Sequence, residues 1–303
     1  MIKNNRKNVN KKYVAGVDIG GSHITVALID MADAKVIKSS LLRNKLDSNG
    51  TAQEILDVWI STIRQVIEKS EVKVEKIGFA MPGPFDYANG ICLIKGFNKY
   101  ESLFGMNIRE ILAETFCLNP ENIQFRNDAE AFLAGELNGG AGKGFNNAIG
   151  ITLGTGLGSA KSHNGITVDA ELSVTEYGGE IIEELVSTRG LQHMYAELSG
   201  KKVEDAKELA VLAETDLHAA KTFKLFAEHL AWFLEKFIKA ESPQLLVVGG
   251  NIANAWDLFM PAVKDTLKKN LQTVPDIVKA SLAEDAALVG AACIFETALA
   301  KVQ

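Results

Sequence analysis

The segment VAGVDIGGSHITVALI at residues 14–29 is matched later in the chain by NAIGITLGTGLGSA at residues 147–160. In each segment, an apolar run of strand length enters a glycine-rich turn and then returns as a second apolar run. This pattern predicts two β-hairpins. Their tips are Gly20-Gly21-Ser22 and Gly154-Thr155-Gly156-Leu157-Gly158.

Both tips have a composition suited to binding an anion. Glycine has no Cβ, so backbone N–H groups can converge on phosphate oxygens at short range. Ser22 and Thr155 add hydroxyl donors. A glycine-rich turn between two strands is more often a plain tight hairpin, and neither tip fits the P-loop or the dinucleotide-binding fingerprint. The two tips together predict two halves of a chain that hold the phosphate tail of a nucleotide for phosphoryl transfer.

The composition is that of a globular protein with two domains of ordinary size. A net charge of −6 gives no reason to expect binding to nucleic acid or to an anionic membrane. No apolar run approaches the ~20 residues of a membrane span. Residues 1–12 are basic and polar, with no apolar segment after them, and we interpret them as a disordered extension. Three scattered cysteines fit neither a disulfide framework nor a metal site, which predicts a cytoplasmic protein.

Hydrophobic periodicity predicts mixed helices and strands in both halves of the chain. The predicted helices cover residues 52–69, 108–116, 130–137, 179–198, 204–214, 217–240, 253–270 and 286–300, and the predicted strands outside the hairpins cover residues 74–80, 91–94, 123–125 and 244–248. Each half begins with a hairpin, which predicts an internally duplicated α/β architecture rather than one continuous sheet.

Six motifs in one order resemble those of the ROK family of sugar kinases and repressors. They are Asp18-Ile-Gly-Gly-Ser22, Pro82-Gly-Pro-Phe-Asp86, Asn127-Asp128-Ala129, Gly154-Thr-Gly-Leu-Gly158, Gly249-Gly250-Asn251 and Glu284-Asp-Ala-Ala-Leu-Val-Gly290. The resemblance implies a duplicated actin-like ATPase (ribonuclease H-like) fold, with the active site in a cleft between two domains. We expect a small α/β domain at residues 13–127, joined by the C-terminal helix 287–303, and a large α/β domain at residues 128–286.

The resemblance implies that Asp128 is the general base that takes the proton from a sugar hydroxyl, as phosphoryl transfer to an alcohol needs. By itself, an Asp between a strand and a helix is most often a helix N-cap. The sugar contacts implied by matching are Gly83, Asn98, Asn127, Glu180 and Glu183, together with Asp128. Glu171 is a competing match for Glu180.

The same matching implies the nucleotide contacts, with ATP as the donor. They are Asp18, Gly20, Gly21, Ser22, Gly154, Thr155, Gly156, Gly158, Gly249, Gly250 and Asn251. Asp18 resembles a carboxylate that holds Mg²⁺, through water, near the β- and γ-phosphates. The sequence predicts that Gly156 makes room for ATP, so a larger residue there should leave sugar affinity nearly intact.

The expected function is ATP-dependent phosphorylation of a hexose or amino sugar by a glucokinase-like homodimer. One alternative is a kinase for fructose, mannose, allose or N-acetylmannosamine. Another is a non-catalytic sugar sensor with the same fold, although a sensor needs neither Asp128 nor the two phosphate turns. The short N-terminal extension leaves no room for the DNA-binding domain of the family's repressors.

The largest departure from the family lies at residues 164–192. Most members carry a Gly-Glu-x-Gly-His segment there, followed by a Cys-x-Cys-x-x-x-x-Cys zinc cluster. This sequence has Glu176-Tyr-Gly-Gly-Glu180-Ile-Ile-Glu183 instead, and residues 164–192 contain no Cys or His. A structural zinc site needs four such ligands, so we expect no zinc. The predicted apolar anchors of the replacement segment are Ile181, Ile182, Leu185 and Val186.

Overall fold

The computed structural model describes residues 12–70 and 72–300, with side chains described as far as residue 296. The predicted disordered extension therefore lies, except for Lys12, outside the described residues. The strands are β1 (Tyr13–Ile19), β2 (His23–Asp30), β3 (Lys35–Val36), β4 (Leu42–Lys45), β5 (Ile77–Met81), β6 (Phe85–Asp86), β7 (Ile91–Cys92), β8 (Ile123–Asn127), β9 (Ala148–Leu153), β10 (Leu157–His163), β11 (Ile166–Asp169), β12 (Glu176–Tyr177), β13 (Glu180–Ile181), β14 (Leu245–Gly249) and β15 (Asp276–Lys279). The helices are α1 (Ala52–Glu68), α2 (Ile108–Phe116), α3 (Asp128–Gly139), α4 (Ile182–Leu185), α5 (Thr188–Ser199), α6 (Ala206–Leu212), α7 (Leu217–Glu241), α8 (Trp256–Asn270) and α9 (Asp285–Ala300).

The chain divides into two compact units. Unit 1 comprises residues 1–139 and 284–303, and unit 2 comprises residues 140–283. The domain boundary predicted from the sequence lies between residues 127 and 128, which would put α3 in the second domain. The structure groups α3 with unit 1 instead, because α3 packs along α9 and also contacts β5 and β8.

The two units repeat one sheet pattern. In unit 1 the strand order is β3-β2-β1-β5-β8, with β4 also beside β2, and in unit 2 it is β11-β10-β9-β14-β15. Each sheet has an antiparallel hairpin, β1–β2 or β9–β10, and two parallel strands beyond the first hairpin strand. Both predicted hairpins and the predicted internal duplication are confirmed. Because β10 begins at Leu157, the second turn is shorter than predicted and Gly158 lies in the strand.

Local sequence explains most of the helix boundaries. The α1 helix begins after Thr51, which forms a capping box: its Oγ1 accepts the Glu54 N–H, and the Glu54 carboxylate accepts the Thr51 N–H. The predicted bounds of α2 are confirmed, with Asn107 as its N-cap. The α7 helix is the longest among the described residues and buries an apolar face that includes Phe223, Phe233 and Phe237. None of the described helices is both long enough and apolar enough to cross a membrane.

The predicted helix at residues 179–198 is wrong over its first half. Gly178 and Gly179 both have left-handed φ, 64° and 94°, and they form the turn of the β12–β13 hairpin. The short α4 follows, and α5 begins only after Ser187, whose Oγ accepts the Gly190 N–H. The apolar spacing of this segment predicted one continuous helix. The glycine turn and the N-cap at Ser187 both interrupt it.

The α9 helix lies against β1, β5 and α3 in unit 1, and glycines allow its backbone to come very close. A Cβ added to Gly290 of α9 would lie 1.7 Å from the Ala131 carbonyl oxygen of α3. A Cβ on Gly78 of β5 would lie 2.0 Å from the carbonyl oxygen of Ala291. These contacts are between backbones, so the neighbouring atoms cannot rotate away.

Replacing Gly290 by Ala is therefore expected to lower the free energy of unfolding by about 1–3 kcal/mol, the usual cost of overpacking a core. Urea denaturation of the full chain measures this change. Gly154→Ala is the matched control, because an added Cβ at Gly154 has no atom within 4 Å. Equal midpoints for both variants would show that α9 can shift without cost.

Candidate active site

Two carboxylates in unit 1 mark the centre of the candidate site. Burial raises the pKa of Asp18 on β1 from its ordinary 3.8 to about 7, and the negative charge of Asp128 adds to that rise. Burial also raises the pKa of Asp128, although the Ala129 N–H and the Lys99 ammonium lower it in part. The Asp128 side chain nevertheless remains exposed at the surface. A carboxyl with a raised pKa is a better proton acceptor, and two adjacent carboxylates favour a cation beside them.

Asn127, rather than Asp128, is the N-cap of α3. The Asn127 Oδ1 accepts the backbone N–H groups of Ala129 at 2.8 Å and Glu130 at 3.4 Å. Asp128 is the first residue of the helix, and its Oδ1 accepts the neighbouring Ala129 N–H at 2.9 Å. The ordinary structural role of an Asp at a helix start is thus already filled by its neighbour.

Tyr87, which the sequence analysis missed, connects two of the predicted sugar contacts. Its hydroxyl donates to the Met81 carbonyl at 3.0 Å and accepts the Asn127 Nδ2 at 3.3 Å. A Cβ on Gly83 would lie 3.2 Å from the same hydroxyl. An amide nitrogen carries two N–H groups, so Asn127 keeps one for another acceptor. Tyr87 could have been identified from the sequence by its position, one residue after the Pro-Gly-Pro-x-Asp motif.

Asn98 lies in an exposed loop with a left-handed φ of 53°. Its backbone N–H donates to the Glu101 carboxylate at 3.1 Å. Lys99, the next residue, is half-buried, and its charge lowers the pKa of Asp128. The sequence analysis did not single out Lys99, because a lone lysine beside an asparagine carries no motif.

The hairpin tips contain glycines that the protein itself does not require. Gly21 and Gly154 have no left-handed φ, and an added Cβ at either would have no atom within 4 Å. In the part of the chain that the structure describes, the N–H groups of Gly21, Ser22, Thr155 and Gly156 donate to no acceptor. A tight turn requires glycine where φ is positive or where neighbouring atoms leave no room for a Cβ. Neither condition holds for Gly21 or Gly154. Each tip therefore presents two adjacent N–H groups without an acceptor among the described residues, which suits an anion.

The hydroxyl groups of the two tips are both exposed. Ser22 Oγ lies 2.8 Å from His23 Nδ1, and the Ser22 carbonyl accepts the Leu46 N–H at 3.0 Å. The first tip is thereby tied to the strand region around β4. The Thr155 carbonyl is 3.4 Å from Arg189 Nη1 in unit 2.

Glu183 lies directly on the second tip. Its Oε2 accepts the Leu157 N–H at 2.9 Å, and a Cβ on Gly156 would come within 2.6 Å of the same oxygen. Arg189 Nη2 lies 3.3 Å from Glu183 Oε1 and 2.7 Å from Glu184 Oε1, and this hydrogen bond holds the pKa of Glu184 below its ordinary value. Unit 2 thus brings a predicted sugar ligand and a predicted phosphate turn into contact.

The turn after β14 borders a cavity of about 720 Å³ in unit 2. Gly250 has a φ of 85°, and a Cβ there would lie 2.3 Å from the Leu153 carbonyl oxygen, so the turn is pressed against the end of β9. Thr188 Oγ1 donates to the Gly154 carbonyl at 2.9 Å. The cavity is lined by Thr188, Asp205, Ala206, Lys207, Ala210, Val211, Glu214, Asn251, Asn254 and Ala255. Its volume is in the range of small-molecule sites, and the sequence analysis identified only Asn251 among its lining residues.

Glu180 and Glu171 are the other two glutamates matched to sugar contacts, and both lie in the segment that replaces the zinc module. Glu180 is exposed on β13, opposite Tyr177, and Glu171 is exposed with a left-handed φ of 53°. No hydrogen bond joins either side chain to the second tip among the described residues. Among the described residues, Glu183 is thus the one of these three glutamates whose carboxylate is hydrogen-bonded to the second tip.

Aromatic packing holds the β12–β13 hairpin onto α7. The Tyr177 ring lies 4.2 Å from the Trp232 ring and 5.5 Å from the His229 ring, measured between centroids. Of the predicted anchors, Ile182 and Val186 are completely buried, whereas Ile181 is 43% exposed, so the prediction is wrong for Ile181. The described side chains include no cluster of three or more His, Cys, Asp or Glu that could hold a metal ion.

The sequence model of the ROK family matches residues 14–178 and 177–298. This chain belongs to the ROK family. Among its relatives, the glucokinase of Thermotoga maritima is 27% identical, over 94% of this chain and 98% of that protein. The N-acetyl-D-glucosamine kinase of Mannheimia succiniciproducens is 23% identical, over 93% of this chain and 99% of that protein.

Solved structures confirm the expected fold of this ROK protein. A ROK family glucokinase from Streptomyces griseus, in complex with glucose and AMPPNP, superposes with a TM-score of 0.74. Its sequence is 22% identical, and the match covers 92% of this chain and 98% of that one. The duplicated sheets of the two units are those of the actin-like ATPase fold.

A ROK protein with an aromatic cluster in place of the zinc module is expected to need Mg²⁺ but not zinc. Metal analysis of the purified protein should find well under one zinc per chain. A zinc-selective chelator should leave both stability and turnover unchanged, whereas removing Mg²⁺ should stop turnover, since the phosphates lose charge neutralisation. Stoichiometric zinc, with unfolding on chelation, would contradict this expectation.

Proposed function

We propose that this ROK protein transfers the γ-phosphoryl group of ATP to a hydroxyl group of a hexose or amino sugar. The observation that carries the proposal is the division of roles at α3: Asn127 caps the helix and leaves the exposed Asp128 carboxylate beside Asp18 without that task. An Asp at a helix start that is not the N-cap and that has a raised pKa suits a general base.

In the proposed reaction, the sugar hydroxyl oxygen forms a bond to the γ-phosphorus and its proton passes to Asp128. The bond between the γ-phosphorus and the oxygen that bridges to the β-phosphate breaks, which leaves ADP and a sugar phosphate. The N–H groups of Gly21 and Ser22 in unit 1 would bind phosphate oxygens, and those of Thr155 and Gly156 in unit 2 suit the same kind of ligand. Such positioning and charge stabilisation supply most of the catalysis in phosphoryl transfer.

The residues near Asp18 fit a magnesium ion. The ion prefers carboxylate oxygen and usually takes most of its other ligands from water and phosphates, so one or two protein carboxylates suffice. Asp18 is half-buried, and among the described residues no N–H or O–H donates to its carboxylate. Asp18 would hold Mg²⁺, through water, and the ion would neutralise phosphate charge.

The predicted sugar contacts each have a group that could bind a sugar hydroxyl. Asn127 would use its remaining N–H, with Tyr87 fixing the amide, and Asn98 would contribute its exposed side chain. Glu183 would accept a sugar hydroxyl while its other oxygen stays on the Leu157 N–H. The names of the relatives favour glucose and N-acetylglucosamine as the first substrates to test.

A coupled assay for ADP release tests the proposal. The panel contains glucose, N-acetylglucosamine, fructose, mannose, allose and N-acetylmannosamine, each with MgATP, and phosphorus NMR identifies the product. Sugar-dependent ADP release with formation of a sugar phosphate is expected for at least one member. Tight sugar binding without ADP release for any member would favour the non-catalytic sensor instead.

A further inference from the structure

The loop of residues 95–100, here called the Asn98 loop, has an unusual backbone. Gly96, Asn98 and Tyr100 all have left-handed φ, at 79°, 53° and 54°. For a residue with a side chain, this conformation is unfavourable because its Cβ comes too close to the following carbonyl oxygen. A tyrosine is seldom found there, so tertiary contacts must hold the loop in this form.

Tyr100 supplies those contacts. Its side chain is completely buried, and its ring packs edge-on against Trp59 with 5.7 Å between centroids. Its N–H donates to the Ser48 carbonyl at 2.6 Å, and its hydroxyl donates to the Gly20 carbonyl. Burial raises the pKa of Tyr100, so the hydroxyl keeps its proton at neutral pH and remains a donor.

The Gly20 carbonyl belongs to the same peptide group as the Gly21 N–H. Because a peptide group is planar and trans, fixing the carbonyl also fixes the direction of that N–H, which points the opposite way. The Gly21 N–H is one of the donors at the first hairpin tip that have no acceptor among the described residues. Tyr100 therefore holds the carbonyl side of the peptide group whose N–H side faces away from the protein's own acceptors, while an added Cβ at Gly21 would meet no atom within 4 Å.

We propose that Tyr100 is a positioning residue that aims the Gly21 N–H at the nucleotide phosphates and transmits the state of the Asn98 loop to that peptide. The proposal rests on the proposed function, in which the Asn98 loop binds sugar and the first tip binds ATP. Tyr100 would thus link a sugar-binding loop to an ATP-binding tip. Sugar and nucleotide should therefore each strengthen the binding of the other, by the same factor.

The test removes only the hydroxyl, by Tyr100→Phe. The matched control is Tyr195→Phe, which also removes the hydroxyl of a buried tyrosine, one that donates to Asp216 Oδ2 at 2.9 Å in unit 2. Calorimetry measures the Kd of MgAMPPNP with and without the sugar that the assay identifies. Thermal unfolding checks that both variants are folded.

Tyr100→Phe is expected to weaken AMPPNP binding about tenfold, the size of one buried hydrogen bond, and to abolish the strengthening by sugar. The Kd of sugar alone should change less than twofold, and Tyr195→Phe should behave as the wild type. Unchanged AMPPNP affinity and coupling in Tyr100→Phe would overturn the proposal, as would equal losses in both variants.

The outcomes also separate this inference from the proposed function. A wild-type protein that binds AMPPNP but phosphorylates no sugar in the panel would refute the kinase proposal, and the AMPPNP affinity of Tyr100→Phe would still decide the role of Tyr100. A wild-type protein that binds no AMPPNP would overturn both.

Discussion

Replacing Asp128 by Asn is expected to lower kcat by ~10²-fold or more, the usual contribution of a general base. The amide keeps the shape of the side chain but cannot take the proton of the attacking hydroxyl. Sugar and AMPPNP affinities, measured by calorimetry, should stay within a few fold of the wild type. Asp57→Asn is the control, because Asp57 is an exposed acid on α1 whose carboxylate accepts the Gln53 amide at 2.8 Å.

Stability and pH dependence make the Asp128 prediction more specific. Burial raises the pKa of Asp128 in the folded chain, so its ionised form destabilises the fold above that pKa. Asp128→Asn should therefore unfold no earlier than the wild type at neutral pH.

The kcat/KM of the wild type should fall as pH decreases through values above the ordinary 3.8 of an aspartate. Because the charge of Asp128 also raises the pKa of Asp18, protonation of either carboxylate contributes to this acid limb. Near wild-type turnover in Asp128→Asn would refute the assignment.

Replacing Gly156 by Val is expected to impair sugar use as well as ATP use. The added Cβ meets Glu183 Oε2 at 2.6 Å and would displace the carboxylate from the Leu157 N–H. Displacing a binding group by about 1 Å can cost ~10²-fold in rate, so kcat/KM for the sugar should fall by about that factor. Steady-state kinetics with each substrate varied in turn measures the two effects separately.

Gly154→Val provides the matched comparison for Gly156→Val. Its added atoms have open space within the protein and should interfere with ATP alone. From the sequence, both glycines have the same expected role, namely space for phosphate. If Gly156→Val raised only the KM for ATP, Glu183 would not be a sugar ligand, and the original expectation for Gly156 would stand.

The sequence predicted best where the determinants are local. The alternation of apolar residues around a glycine tip fixed both hairpins, and Asn107 with the apolar spacing after it fixed the bounds of α2. The helix predicted at residues 179–198 failed for an equally local reason. Two consecutive glycines at residues 178 and 179 favour a hairpin turn, and the periodicity of the following apolar residues outweighed them in the prediction.

By itself, the sequence determined the duplicated α/β fold, the membership of the ROK family and a set of candidate residues centred on Asp128. Only the tertiary structure decided how these residues divide their tasks. It assigned the helix cap to Asn127 and joined Gly156 to Glu183, and it placed the Tyr100 hydroxyl on the Gly20 carbonyl across 80 positions of sequence. Pattern reasoning does not reach such pairs, because a hydrogen bond between distant segments depends on the register of whole strands and leaves no periodic trace near either partner.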